Sequence, residues 1–139
     1  MTSTMANVSL TTLKVKVPPE DLFRVLIKGG SGHIHLNGLL IKKNILDRSG
    51  LFNPKIPNFN EDTDFILRRT LKLPPHPGSI KQPIALRRVH AENRVSSPRS
   101  EKGIYQDHMR QRVKTYRWLK QNGTSYQRML AFKRMLVEL

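Results

Sequence analysis

The sequence predicts an α+β protein in three parts: a small N-terminal β-α-β-β unit over residues 1–48, an extended Pro/Arg-rich connector over 49–103, and a basic helical hairpin over 104–139. Three observations predict it. Asn37-Gly38 stands between two apolar stretches, seven of the nine prolines fall between residues 54 and 98, and apolar residues recur every three or four positions after residue 103.

The N-terminal unit begins with a strand. Leu13, Val15 and Val17 alternate with Thr12, Lys14 and Lys16, the period of a half-exposed strand, and Pro18-Pro19 ends it. Glu20 and Asp21 suit the positive end of a helix dipole. Leu22, Phe23, Val25, Leu26 and Ile27 then predict a helix of about ten residues, closed by Gly29-Gly30. His33-Ile34-His35-Leu36 and Leu39-Leu40-Ile41-Lys42 read as the arms of a hairpin, because Asn-Gly readily supplies the positive φ angles of a two-residue turn.

The connector holds one candidate strand, Phe65 to Leu73, in which Phe65, Leu67, Leu71 and Leu73 share a parity and Arg69 interrupts. Asp62 to Asp64 capping a helix over the same stretch is the alternative. Pro74, Pro75, Pro77 and Pro83 keep the following backbone extended, and Arg87-Arg88, Arg94 and Arg99 punctuate it. So long a stretch without its own core is expected to be a disordered linker or an arm that orders against a partner.

In the C-terminal part, Tyr105, Met109, Val113, Tyr116 and Leu119 fall on one helical stripe. Asn122-Gly123 supplies the stop, and Thr124 or Ser125 caps a second helix. Tyr126, Met129, Leu130, Phe132, Met135, Leu136 and Leu139 form its wide apolar side, the expected docking surface for proteins of a larger assembly, through residues 126–139.

Charge is the strongest functional pointer. The net charge is +15, and residues 65–134 hold 17 Lys or Arg against only Glu92, Glu101 and Asp107. Such a balance draws a chain toward polyanions, and release of counterions from phosphates makes RNA or DNA the strongest general answer. On the first hairpin helix, Arg110, Lys114, Arg117 and Gln121 share a stripe away from Met109 and Val113, and Arg112 and Lys120 lie nearby. A solvated helix face is the bland explanation, and it fits best where acids alternate with bases; residues 108–137 contain no acid. Trp118 falls off the apolar stripe beside Arg117. An exposed ring there would stack a base or a guanidinium. Against that, two short helices need large side chains, so Trp118 is expected mainly to cover the hairpin core.

Several classes are set aside. The chain has no cysteine, hence no disulfide and no thiolate metal site. His33 and His35 share one side of the expected strand but have no third ligand nearby, so neither a metal nor a cofactor is expected. Gly29-Gly30-Ser31-Gly32 follows a helix instead of opening one and lacks the Lys-Ser/Thr ending of a P-loop. No paired carboxylates or nucleophile spacing stand out, and no enzyme is expected. No apolar run approaches the roughly 20 residues of a membrane span.

These observations lead to the expectation of a non-enzymatic, basic, RNA-binding structural protein of a ribonucleoprotein, with an organellar ribosome as its setting. Arg69, Arg87, Arg88, Arg110, Arg112, Lys114, Arg117 and Lys120 are the expected contacts to the RNA backbone. Two alternatives fit the same charge: a small viral nucleic-acid-binding protein (nucleocapsid-associated, matrix or silencing suppressor) that also meets an anionic membrane surface, and a helical protein–protein adaptor. An intracellular location is expected. The acid-free, Ser/Thr-rich residues 1–19 point to the mitochondrion, though they lack Arg, while the basic run after residue 87 suits a nuclear signal and the viral reading a virion.

Overall fold

A computed structural model describes residues 13, 15–56, 60–73, 75, 76, 78 and 99–137. Of these, 67% are helical, and among the described residues there is no strand and no sheet. The expected α+β class is therefore corrected to an all-helical fold of five α-helices among the described residues: α1 (Leu22–Lys28), α2 (Lys43–Ser49), α3 (Glu61–Lys72), α4 (Glu101–Asn122) and α5 (Ser125–Leu136).

The N-terminal β-α-β-β unit fails at its strands. Leu13 and Val15 to Val17 form none; Thr12 and Lys14 lie outside the described residues. Asn37-Gly38 sits in a 3-10 turn, Leu36–Gly38, in which the Gly38 N–H donates to His35 O at 3.0 Å and the Leu39 N–H to Leu36 O at 3.0 Å. Gly38 is not among the glycines with positive φ, so the turn that would fold a hairpin back is not made. A two-stranded hairpin needs an apolar surface to lie on. Leu40 is fully exposed, and after Lys42 the chain coils into α2 instead of returning as a strand.

The helix expected after Pro19 is present. A 3-10 turn over Pro19–Asp21 leads into α1, and Arg24 pairs with Asp21 at 3.0 Å across the first turn. Gly29, with φ 74°, stops the helix as its N–H reaches the carbonyls of Val25 and Leu26.

The second correction concerns Phe65 to Leu73, expected as a strand and found as the body of α3. Glu61, Asp62 and Asp64 occupy the first turn and Arg69 and Lys72 the last, each sign facing the end of the dipole that favours it. The shared parity of Phe65, Leu67 and Leu71 misled because seven consecutive residues, Asp64 to Thr70, are buried. Ile66, of the opposite parity, is buried with Phe65 and Leu67, so the apolar set follows the helical period and not the alternation of a strand.

Helices α4 and α5 occupy the range where apolar periodicity places two helices. Ser100 caps α4 by accepting from the Gly103 N–H at 3.1 Å. Thr124 and Gln127 cap α5 reciprocally, each side chain accepting from the other's backbone N–H. The helices run antiparallel, with Arg128 donating to the carbonyls of Leu119 and Gly123 and Arg112 to that of Arg134. The face of α4 that turns inward meets the expected stripe at Leu119, with Tyr116 packed at its edge, but is rotated from it. Gln111, Thr115 and Leu119 are buried, whereas Tyr105 lies exposed. Gln111 donates to Thr115 Oγ1 at 3.0 Å, so the two polar groups satisfy each other inside.

One core gathers these elements from both ends of the chain: Phe23 and Ile27 of α1, Leu67 of α3, Leu119 of α4, and Leu130 and Ala131 of α5. Leu26, Leu71, Tyr116 and Trp118 pack at its edge. The Pro/Arg-rich stretch 79–98, expected to be extended or disordered, lies outside the described residues.

Candidate nucleic-acid interface

The site starts from two adjacent arginines on α3. Arg68 is buried and donates from Nε to Asp64 at 2.9 Å, from Nη1 to Ser49 O at 2.9 Å and from Nη2 to Leu51 O at 2.8 Å. Arg69, also buried, donates to Phe65 O and to Gly50 O and lies over the Phe65 ring, which stacks on Phe52. The two side chains thus take three consecutive carbonyls, those of Ser49, Gly50 and Leu51, at the negative end of α2.

The buried charge is mostly positive. Burial raises the Asp64 carboxyl above its ordinary value, against the pull of Arg68, Arg69 and Lys114. Burial and the neighbouring Arg68 lower the Arg69 guanidinium to about 10, with Asp64 opposing. Two arginines therefore share one reluctant carboxylate.

Beside this knot opens a cleft of about 580 Å³, lined by Arg48 and Gly50 of the α2 end, Arg68 and Lys72 of α3, and Trp118 and Asn122 of α4. None of the residues lining it is acidic. Lys72 sits 5.8 Å from the centre of the Trp118 ring and 3.5 Å from Asn122 O. Arg48 and Lys72 are exposed, so an anion in the cleft can reach their charges.

The expected contact residues are scattered by the fold. Arg110 and Arg117 are exposed on the outer side of α4, opposite its buried Gln111–Thr115–Leu119 line, with Lys114 half-buried between them. Asp107 lies 3.8 Å from Arg110, whose side chain stays 64% exposed, and also pairs with Arg99. Lys120 is exposed, its Nζ 5.4 Å from the centre of the Tyr116 ring. Arg112 lies in the seam between α4 and α5. Arg69 is buried and turned to backbone carbonyls, which separates it from the outer cations. Arg87 and Arg88 lie outside the described residues.

Arg48, Arg68 and Lys72 escaped the sequence reading. Nothing in their local spacing signals that residues 48, 72 and 118 line one cleft. The only local hint was the position of Arg48 and Lys72 in the last turns of their helices. His33 and His35 meet edge to face, Nε2 to Nε2 at 2.8 Å, and among the described residues no group of three or more His, Asp or Glu side chains is placed to hold a metal. Among the described residues no helix is long and apolar enough to cross a membrane.

No known protein family, curated protein or solved structure matches this chain.

Proposed function

We propose that this protein is a non-enzymatic RNA-binding component of a ribonucleoprotein, with an organellar ribosome as its setting. The observation that carries the reading is the outer face of α4. Arg110, Lys114 and Arg117 lie along it, Lys120 stands beside it, and no acid occurs between residues 108 and 137. A rigid helix presenting cations at fixed intervals neutralises a phosphate backbone without reading sequence, and Arg110 stays largely exposed although Asp107 lies 3.8 Å from it. The basic cleft beside Trp118 adds Arg48 and Lys72 to the cations available to a phosphate. The test is the salt dependence of binding to a labelled RNA. Affinity is expected to fall linearly on a log–log plot, with a slope near −0.7 per phosphate contacted on single strands. A flat response rejects phosphate contact as the basis of binding.

A protein partner on α5 is a second reading, favoured by Met129, Phe132 and Leu136, which lie exposed along one stripe of that helix. An association made there survives nuclease and high salt, whereas one bridged by RNA does not.

A further inference from the structure

We propose that the cleft between the end of α2, α3 and α4 receives one unpaired nucleotide of single-stranded RNA, with its base on the Trp118 ring and its phosphate between Arg48 and Lys72. The proposal rests on the RNA-binding reading and deepens it.

Four observations on three helices converge. The first is the aromatic wall. Trp118 packs one part of its ring on the edge of the core and leaves another part lining the cleft. A ring held by the core and open on one side is a prepared stacking surface for a base of any identity.

The second is the cation above it. Lys72 Nζ lies within cation–π range of the ring, at 5.8 Å, and its other partner is the Asn122 carbonyl at a long 3.5 Å. Its exposed, flexible stem lets the ammonium move off the ring as a base arrives and follow the attached phosphate.

The third is a partial masking of what would repel an anion. The C-terminal end of a helix carries partial negative charge on its last carbonyls, and α2 ends at the rim of the cleft. Arg68 and Arg69 already bond the carbonyls of Ser49, Gly50 and Leu51, so a phosphate beside Arg48 meets hydrogen-bonded oxygens instead of bare ones.

The fourth is the place of Lys114 on α4. It is half-buried one helical turn before Trp118 and shares its stripe, which lets a strand that reaches Lys114 from Arg110 continue to the cleft. A duplex cannot use the ring, because its bases are stacked and paired.

Trp118 is the only tryptophan in the chain, so its emission reports on this cleft alone. The experiment uses the full chain with a short oligouridylate, a hairpin-closed duplex RNA of equal charge and inorganic phosphate, all at one ionic strength. Anisotropy of labelled RNA measures binding separately. The expected result is that the oligouridylate binds and quenches Trp118, while the duplex binds with little quenching and phosphate leaves the emission unchanged. Arg48→Ala with Lys72→Ala is expected to weaken oligouridylate binding by about tenfold and to reduce the quench at a given RNA concentration. Trp118→Leu, its helicity checked by circular dichroism, is expected to weaken single-strand binding by about tenfold and to leave duplex binding nearly unchanged.

If oligouridylate binds with no change in Trp118 emission, the stacking site is wrong and the RNA-binding reading stands. Equal quenching by the duplex, or by phosphate alone, also overturns the stacking site. If no RNA binds by anisotropy, both readings fall.

Discussion

Arg68 on α3 holds the end of α2 through Ser49: its Nη1 donates to the Ser49 carbonyl oxygen at 2.9 Å, across 19 residues of sequence. The same guanidinium bonds Leu51 O and the buried Asp64 carboxylate. One side chain thus ties α2 to α3 and forms the floor of the basic cleft.

Removing that guanidinium leaves a buried carboxylate and two carbonyls without partners. Arg68→Met is expected to destabilise the fold by about 3–5 kcal/mol, the range for breaking a buried ion pair from one side. Urea denaturation followed by circular dichroism measures it. A loss below about 1 kcal/mol would show that water replaces the arginine without difficulty.

Asp64 gives the stability a pH signature. Burial raises its carboxyl in the folded state, so the folded chain holds that proton more tightly than the unfolded chain does. Its contribution is therefore fully present below the ordinary aspartate value of about 3.9 and declines as pH rises through and above that value. Asp64→Asn has no such proton. The stability of the wild-type chain relative to Asp64→Asn is expected to be greater at about pH 3.5 than at about pH 6. Denaturation midpoints across that interval test the sign, and a relative stability that grows with pH contradicts it.

Gly50 is required by its backbone. Its φ of 79° and ψ of 172° fall in a region that side chains avoid, and its carbonyl accepts from Arg69. Gly50→Ala is expected to cost about 1–3 kcal/mol. The comparison is Gly78→Ala, where an added Cβ meets nothing within 4 Å and which is expected to be near neutral. Equal thermal shifts for the two variants would remove the special role of Gly50.

The outer face of α4 is separable from the fold. Arg110→Ala, Lys114→Ala and Arg117→Ala together are expected to keep the helicity and to make the salt dependence of RNA binding shallower by about two, near 0.7 for each phosphate no longer neutralised. Circular dichroism and anisotropy titrations at several salt concentrations measure the two effects. Loss of helicity would make these side chains structural.

Residue order alone determined the charge field and the parts of the fold governed by neighbours a few positions apart. The acid-free run from 108 to 137, the helix after Pro19 with its Gly29 stop, and the paired helices around Asn122-Gly123 and Thr124 all follow from local chemistry: dipoles, caps and glycines acting within one or two turns. Only the tertiary structure decided the rest. Phe65 to Leu73 coils because a helix there lets α1 and α2 pack on α3 and bury seven residues in a row, Ile66 among them, which a strand facing the core with one parity would not do. Asn37-Gly38 makes a turn but no hairpin: Gly38 does not take a positive φ, and Leu40 beyond it is fully exposed. Gln111 and Thr115, both polar side chains, face inward since each satisfies the other there. Burial depends on surfaces brought together from distant parts of the chain, so a cleft that joins Arg48, Lys72 and Trp118 arises only when the chain closes on itself.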